Sequence, residues 1–316
     1  MITIQNQNFG VEIELTGITR EQGANVISEY YGGTEIGHHR DGYDSWTAKD
    51  SKGRTWKCSR DISISPEVKV RGRSQRVVEE RTSRDHRCEV VTPILQYEDL
   101  ADLQEIVRRL REKGAIANSS CGIHVHVDGA NHTPDSLTRL INFAVGRQDL
   151  FYEALEIGAR GDRWCKKINA DLLDAMKHDT VRTKSSMEHI WYSSANDGYN
   201  HGISHEHYNS TRYHGINLHA FFTKGTVEFR LFNGTTHAGK IKAYVQFCLA
   251  MSAWAINAKD NLHFMKSSHY EDKAKRGKLM LGVLKNRLHM RGPEYKTARL
   301  HLTAAFADSP VLEAAS

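Results

Sequence analysis

Residues 9–15 read Phe9-Gly10-Val11-Glu12-Ile13-Glu14-Leu15, and this stretch decides the fold class. Apolar and acidic residues alternate with a period of two, the spacing of a β-strand with two unlike faces. One face carries Val11, Ile13 and Leu15, and the other carries Glu12 and Glu14. A strand buried on both faces would be apolar throughout, so the alternation predicts an antiparallel sheet with one polar face.

The same parity recurs along the chain. Cys121-Gly122-Ile123-His124-Val125-His126-Val127-Asp128 sends His124, His126 and Asp128 one way and Ile123, Val125 and Val127 the other. In residues 225–232, Glu228 and Arg230 share a face opposite Val227, Phe229 and Leu231, and Asn217 and His219 alternate against Ile216, Leu218 and Ala220. Glu89 lies in Cys88-Glu89-Val90-Val91-Thr92-Pro93. Solvated sheet faces usually mix lysine, threonine and serine. These five segments place no lysine on the polar side, and glutamate and histidine dominate it.

Outward from these segments, strands are expected at Phe9–Thr16, Asp44–Ala48, Thr55–Cys58, Arg87–Thr92, Gly122–Asp128, Ile216–Phe222 and Thr226–Phe232, with a Lys52-Gly53 hairpin turn between the second and third. Helices are expected at Arg20–Tyr31, Tyr97–Gly114, Thr133–Glu156, Ala170–His178 and Ala238–Ala258. Leu100, Leu103, Ile106, Val107 and Leu110 mark a buried helix stripe, and Thr133-Pro134 is an N-cap followed by proline. Gly32–Asp41 and Thr180–Ser210 read as loops. The expected organisation is a catalytic domain over residues 1–260 and a helical extension over 261–316.

Composition bounds the alternatives. The chain has 316 residues, 39% of them hydrophobic and 26% charged, which is a foldable globular composition. The longest apolar stretch, Phe247–Ile256, is about half of the ~20 residues a membrane-spanning helix needs, and the N-terminus lacks a secretory pattern. Five dispersed cysteines, without a Cys-x-x-Cys pair, fit a reducing cytoplasm. Cys165, between Trp164 and Lys166, is weighed as a nucleophile and not favoured, because no motif supplies a base. A net charge of +5 proves no polyanion partner, but Arg71, Arg73, Arg76, Arg81, Arg84 and Arg87 cluster in one segment that would suit one. His201, His205 and His207 are read as part of a lid rather than a zinc site.

Converging carboxylates narrow the chemistry. Two of them ~4 Å apart repel by about 1 kcal/mol in water and about 4 kcal/mol at an effective dielectric near 20. Such a cluster takes up protons or binds cations, and oxygen-rich sets with an imidazole suit Mg²⁺ or Mn²⁺ better than structural zinc. Arg230 beside Glu228 suits an anion clamp.

Four pieces together resemble the carboxylate–amine ligases of the glutamine synthetase superfamily, and most closely the phage and bacterial amidoligase family. The segment at 9–15 is similar to the family's Gly-x-Glu-x-Glu strand, and 88–95 to its Glu-Val-Val-(Ser/Thr)-Pro strand. Residues 120–128 resemble its Gly-x-His-x-His strand, and 213–235 its closing Asn…Thr-x-Glu-Phe-Arg hairpin. The resemblance implies an α+β fold whose antiparallel sheet curves into a funnel, with helices on the convex face. It implies ATP and Mg²⁺ as cofactors, with Glu12, Glu14, Glu89, His124 and Glu228 as metal ligands. Arg230 would hold a carboxylate or phosphate, and His126 would line the substrate side. Asn217 would contact substrate or metal-bound water, and Arg163 would approach the nucleotide phosphates. The implied reaction joins a carboxylate substrate to an amine through an acyl phosphate, with His126 or His219 as base. The ammonia-site features of glutamine synthetase are not located here, so ammonia is not the expected amine. The superfamily often assembles, so a homo-oligomer is expected. A metal-dependent hydrolase or nuclease on the same face, and a non-catalytic anion-binding protein, remain open.

Overall fold

The computed structural model describes residues 1–71, 77–178, 181–194, 203, 205–259 and 271–307. The fold is α+β, with a large antiparallel sheet and helices. In chain order its strands are β1 (Phe9–Leu15), β2 (Ile36–His39), β3 (Ser45–Lys49), β4 (Thr55–Ser59), β5 (Glu67–Arg71), β6 (Val77–Arg81), β7 (Cys88–Val91), β8 (Gly122–Asp128), β9 (Ile216–Asn217) and β10 (Thr226–Asn233). The helices are α1 (Arg20–Tyr30), α2 (Leu100–Glu112), α3 (Pro134–Val145), α4 (Gln148–Ala154), α5 (Arg160–Arg163), α6 (Ala170–His178), α7 (Lys184–Ser194), α8 (His219–Lys224), α9 (Ala238–Asn257), α10 (Lys273–Gly282) and α11 (Lys296–Thr303). Among the described residues no helix is long and apolar enough to cross a membrane.

The chain forms two compact units. The first comprises Asn8–Val125 and Phe232–Lys242, and the second Met1–Gln7, His126–Leu231 and Ala243–Ser316.

In the first unit the strand order is β2-β3-β4-β7-β1-β8. The alternation is realised: Val11, Ile13, Leu15, Cys58, Cys88 and Val90 are buried. Helix α1 lies over β3, β4 and β7. It starts at a capping box, where the Thr19 hydroxyl accepts from the Gln22 amide and the Gln22 side chain accepts from the Thr19 amide. Gly23 lets the helix approach, since a Cβ there would stand 3.0 Å from Cys58 Sγ. The predicted stripe Leu100, Leu103, Ile106, Val107 and Leu110 of α2 is buried, and each such side chain contributes about 1.5–3 kcal/mol.

Two elements of this unit escaped the sequence reading. Ile36–His39, inside the expected loop Gly32–Asp41, pairs with β3 as a strand. Its partners His38 and Trp46 stack with ring centroids 4.2 Å apart. The basic segment contains a β5–β6 hairpin that sets Lys69 opposite Glu79 and Glu67 opposite Arg81. Arg73 and Arg76, part of the expected polyanion edge, lie outside the described residues.

In the second unit β10 pairs with β9, and Val227, Phe229 and Leu231 are buried. Three expectations need correction. The single helix read over Thr133–Glu156 is two, α3 and α4. Its start is as expected, with the Thr133 hydroxyl accepting from the Ser136 amide and Pro134 in the first turn. It ends at Gly146, and Arg147 leaves helical geometry (φ -135, ψ 7) while its Nη1 donates back to the Phe143 carbonyl at 3.1 Å. The strand read over Ile216–Phe222 is only two residues long. The Asn217 Oδ1 accepts from the His219 amide at 2.8 Å, turning the chain into α8, which ends at Gly225 with φ 76. The segment Thr180–Ser210, read as a loop, contains α7. His201 of the histidine cluster lies outside the described residues.

Candidate active site

In the first unit three adjacent strands build a row across the polar face. Glu14 on β1 stands opposite Glu89 on β7, and Glu89 stands opposite Ser59 on β4. The Ser59 hydroxyl donates to Glu89 Oε2 at 3.2 Å. Glu12 and His124 join the row: His124 Nδ1 lies 2.9 Å from Glu12 Oε2, and its Nε2 lies 3.8 Å from Glu14 Oε1. Glu14 Oε2 also accepts the Gly122 amide at 2.5 Å. Glu14 and His124 are buried, whereas Glu12 and Glu89 are half-buried.

These groups fall into two triads, Glu12–Glu89–His124 and Glu14–Asp61–Glu89, in each of which one donor atom per residue lies within 4.8 Å of the others. Glu89 belongs to both. Burial pushes its carboxyl well above the usual range, and the charges of Glu12, Glu14 and Asp61 push it further, against the Ser59 hydroxyl. A carboxyl driven toward its neutral form by other carboxylates is the electrostatic condition that a divalent cation relieves.

The fit to such a cation is geometric as well. Donor atoms of one ion held at about 2.0–2.1 Å stand roughly 3–4 Å apart. The donor atoms of each triad lie within 4.8 Å of one another, so small side-chain movements bring them to that spacing. Oxygen donors with one imidazole suit Mg²⁺ or Mn²⁺.

The second unit holds a different arrangement. Glu228, Arg230 and Asn217 are buried. Asn217 Nδ2 donates to Glu228 Oε2 at 2.6 Å, and Arg230 Nη1 donates to Glu228 Oε1 at 2.6 Å. His126 Nε2 lies 3.9 Å from the same Oε1, and His126 Nδ1 is 3.0 Å from Thr226 Oγ1. Arg230 Nε donates to the Trp164 carbonyl at 3.3 Å, and the Arg163 guanidinium lies 4.4 Å over the Trp164 ring. Within this unit Glu228 is thus neutralised by Arg230, in contrast to Glu89. His219 hydrogen-bonds the Tyr192 hydroxyl at 2.7 Å through Nδ1. Burial, followed by the charge of Arg212, lowers its pKa to about 4.

The structure therefore brings Glu12, Glu14, Glu89 and His124 together in one unit, and His126, Asn217, Glu228 and Arg230 together in the other. A family model described as "Putative amidoligase enzyme" matches residues 5–252, most of the chain. The chain belongs to this family. No curated protein matches it.

Asp61 and Ser59 were not among the residues expected at the site. Ser59 continues the β4 alternation and Asp61 follows two residues later, so period-two counting could have found both; with no glutamate or histidine on β4, the strand drew no attention. Lys57 was missed as well. The register Lys57↔Val91↔Glu12 carries the polar face onto β4, so that face does include a lysine, with its Nζ 3.5 Å from Asp41. Cys165 agrees with the reading that did not favour it as a nucleophile: it is fully buried, and burial raises its thiol pKa.

Proposed function

We propose that this amidoligase is an ATP- and Mg²⁺-dependent carboxylate–amine ligase that forms an amide bond through an acyl phosphate. The observation that carries the reading is Glu89, shared by two triads and pushed toward its neutral form by three neighbouring acids. In this reading Glu12, Glu14, Glu89, His124 and Glu228, joined by Asp61, hold the cations. Bound there, Mg²⁺ would supply charge neutralisation for phosphate oxygens.

The chain's own residues supply positioning. Arg230, steered by Glu228 and the Trp164 carbonyl, presents its guanidinium to a carboxylate or phosphate, and Asn217 holds Glu228 in place. Arg163 is assigned to the nucleotide phosphates. The substrate carboxylate attacks the γ-phosphorus and ADP leaves. The amine then attacks the acyl carbon, loses a proton, and expels phosphate. Positioning and electrostatics carry most of such a transfer. Of the two candidate bases, His219 is held neutral and committed to Tyr192, and a pKa of about 4 makes it a poor proton acceptor at neutrality. The proton is assigned to His126 Nε2, where Glu228 would stabilise the imidazolium. The funnel shape of glutamine synthetase-like sheets, an intracellular setting and homo-oligomer formation belong to the same reading.

The test is an amine screen with ATP and Mg²⁺ that follows ADP release, with Glu89→Gln as control. Amine-dependent ADP from the native chain and none from the variant supports the ligase. Substrate cleavage with metal ion alone would replace it with a hydrolase.

A further inference from the structure

In the second unit the buried Arg230 is the inner end of a run of guanidinium groups and aromatic rings. Its guanidinium lies 5.9 Å from the centroid of the Tyr213 ring, and that of Arg212 lies 5.6 Å from the same ring. Arg212 in turn lies 5.7 Å from the ring of Tyr208. A branch leaves Tyr213 at Trp164, whose ring stands edge-on at 5.6 Å and carries Arg163 4.4 Å over its face.

Local hydrogen bonds hold the outer part of this run in place. The buried Asn209 starts a short 3₁₀ turn, Ser210–Tyr213, and its Oδ1 accepts both the Thr211 amide at 3.0 Å and the Thr211 hydroxyl at 2.7 Å. Trp191 Nε1 donates to the same hydroxyl at 3.1 Å, which ties the turn to α7. Arg212 Nη1 donates to the His207 carbonyl at 2.7 Å. The Trp164 branch is tied on by the Lys166 amide, which donates to the Tyr213 carbonyl at 2.7 Å.

Tyr208, at the outer end, is 67% exposed, more than any other tyrosine, phenylalanine or tryptophan among the described residues. A single exposed tyrosine is ordinary. This one ends a continuous series that begins at a buried arginine of the candidate active site. An open ring face stacks on a nucleobase, because every base has a π-face, and a guanidinium pairs with phosphate oxygens. The order from solvent inward is ring, guanidinium, ring, guanidinium. A bare polyphosphate would use the arginines alone and a neutral aromatic molecule the rings alone, whereas a nucleotide uses both.

We propose that Tyr208 and Arg212 form the base end of a nucleotide site: the base stacks on the open face of Tyr208, Arg212 takes the phosphate nearest the sugar, and the run through Tyr213 leads the remaining phosphates to Arg230. This rests on the ATP-dependent reading above and adds to it the residues that select a nucleoside triphosphate over a polyphosphate.

Calorimetry on the full chain with Mg²⁺ would compare the β,γ-methylene analogue of ATP with inorganic tripolyphosphate. The native chain should bind the analogue more tightly. Tyr208 is exposed and its replacement leaves the core intact, so Tyr208→Ala should weaken the analogue about tenfold, the size of one lost base–ring stack, while leaving tripolyphosphate unchanged. Tyr208→Phe, which keeps the ring, should bind as the native chain does. Arg212→Met should weaken both ligands. Tyr208→Ala that weakens neither ligand or both equally, or Tyr208→Phe as weak as Tyr208→Ala, would overturn the base assignment and leave the ligase reading standing. A native chain that binds neither the analogue nor tripolyphosphate at millimolar concentration would remove the ATP-dependent reading, and this inference with it.

Discussion

Glu89 on β7 faces Glu14 on β1 as a directly opposed cross-strand pair in the antiparallel register. Like charges in that relation destabilise a sheet, by about 0.2–1 kcal/mol for an ordinary pair. Here the pair lies within a larger acid cluster, where Glu12 and Asp61 add to the repulsion. The arrangement is a local weakness of the metal-free fold that a bound cation would convert into a strength.

Glu89→Gln is therefore expected to stabilise the metal-free protein. The raised carboxyl means that the folded chain binds its proton more tightly than the unfolded chain, so stability falls as pH rises from the ordinary glutamate value of 4.5 through the raised one. Thermal unfolding in a chelator, from pH 5 to pH 8, should show the native chain losing stability relative to the variant by about 1 kcal/mol or more at the alkaline end. Parallel curves would remove Glu89 as the strained group.

Added Mg²⁺ or Mn²⁺ should raise the unfolding temperature of the native chain in a concentration-dependent way, and Glu89→Gln should abolish most of that rise. Because Glu12 keeps part of its side chain in solvent, Glu12→Gln is expected to fold normally. It should lower ADP production by about 10²-fold or more, the scale seen when one preorganised electrostatic contact is lost. Normal turnover in folded Glu12→Gln would separate the acid cluster from catalysis.

Arg230→Met should behave differently, as a folding defect. It leaves the buried Glu228 without its cation, a loss of about 3–5 kcal/mol when one partner of a buried pair is removed. Urea unfolding should show this loss, and the double variant Arg230→Met/Glu228→Gln should recover much of it. An additive double variant would show that the pair is not coupled.

His132 and His219 predict steep acid sensitivity. Burial lowers each from 6.5 to about 4. The unfolded chain takes up these protons first, so stability is lost as pH falls from about 6.5 toward 4, at most by roughly 3 kcal/mol per histidine. His132 is locked between the Ser136 and Ser252 hydroxyls, both at 2.9 Å. Imidazole proton shifts followed by NMR should show two rings that stay neutral at pH 5.5; titration of both near 6.5 would contradict the buried environment.

What the linear order of residues determined was direction. Alternation in Glu12-Ile13-Glu14 or His124-Val125-His126 states which side chains share a face, because successive Cβ atoms on a strand point oppositely wherever that strand lies. The helix stripe of α2 was legible for the same reason, since each is a property of neighbours in the chain. Which residues meet was decided elsewhere. The register that sets Glu89 between Glu14 and Ser59, the chain path that adds Asp61, and the pairing that commits Arg230 to Glu228 all depend on strands far apart in sequence. His219 shows the limit most clearly: its alternation read as a strand, yet one Asn217 side chain capturing a backbone amide turned the segment into a helix. Local periodicity carries little free energy against such a contact, so the partners of each polar group, and with them the protonation of Glu89, exist only once the tertiary structure has formed.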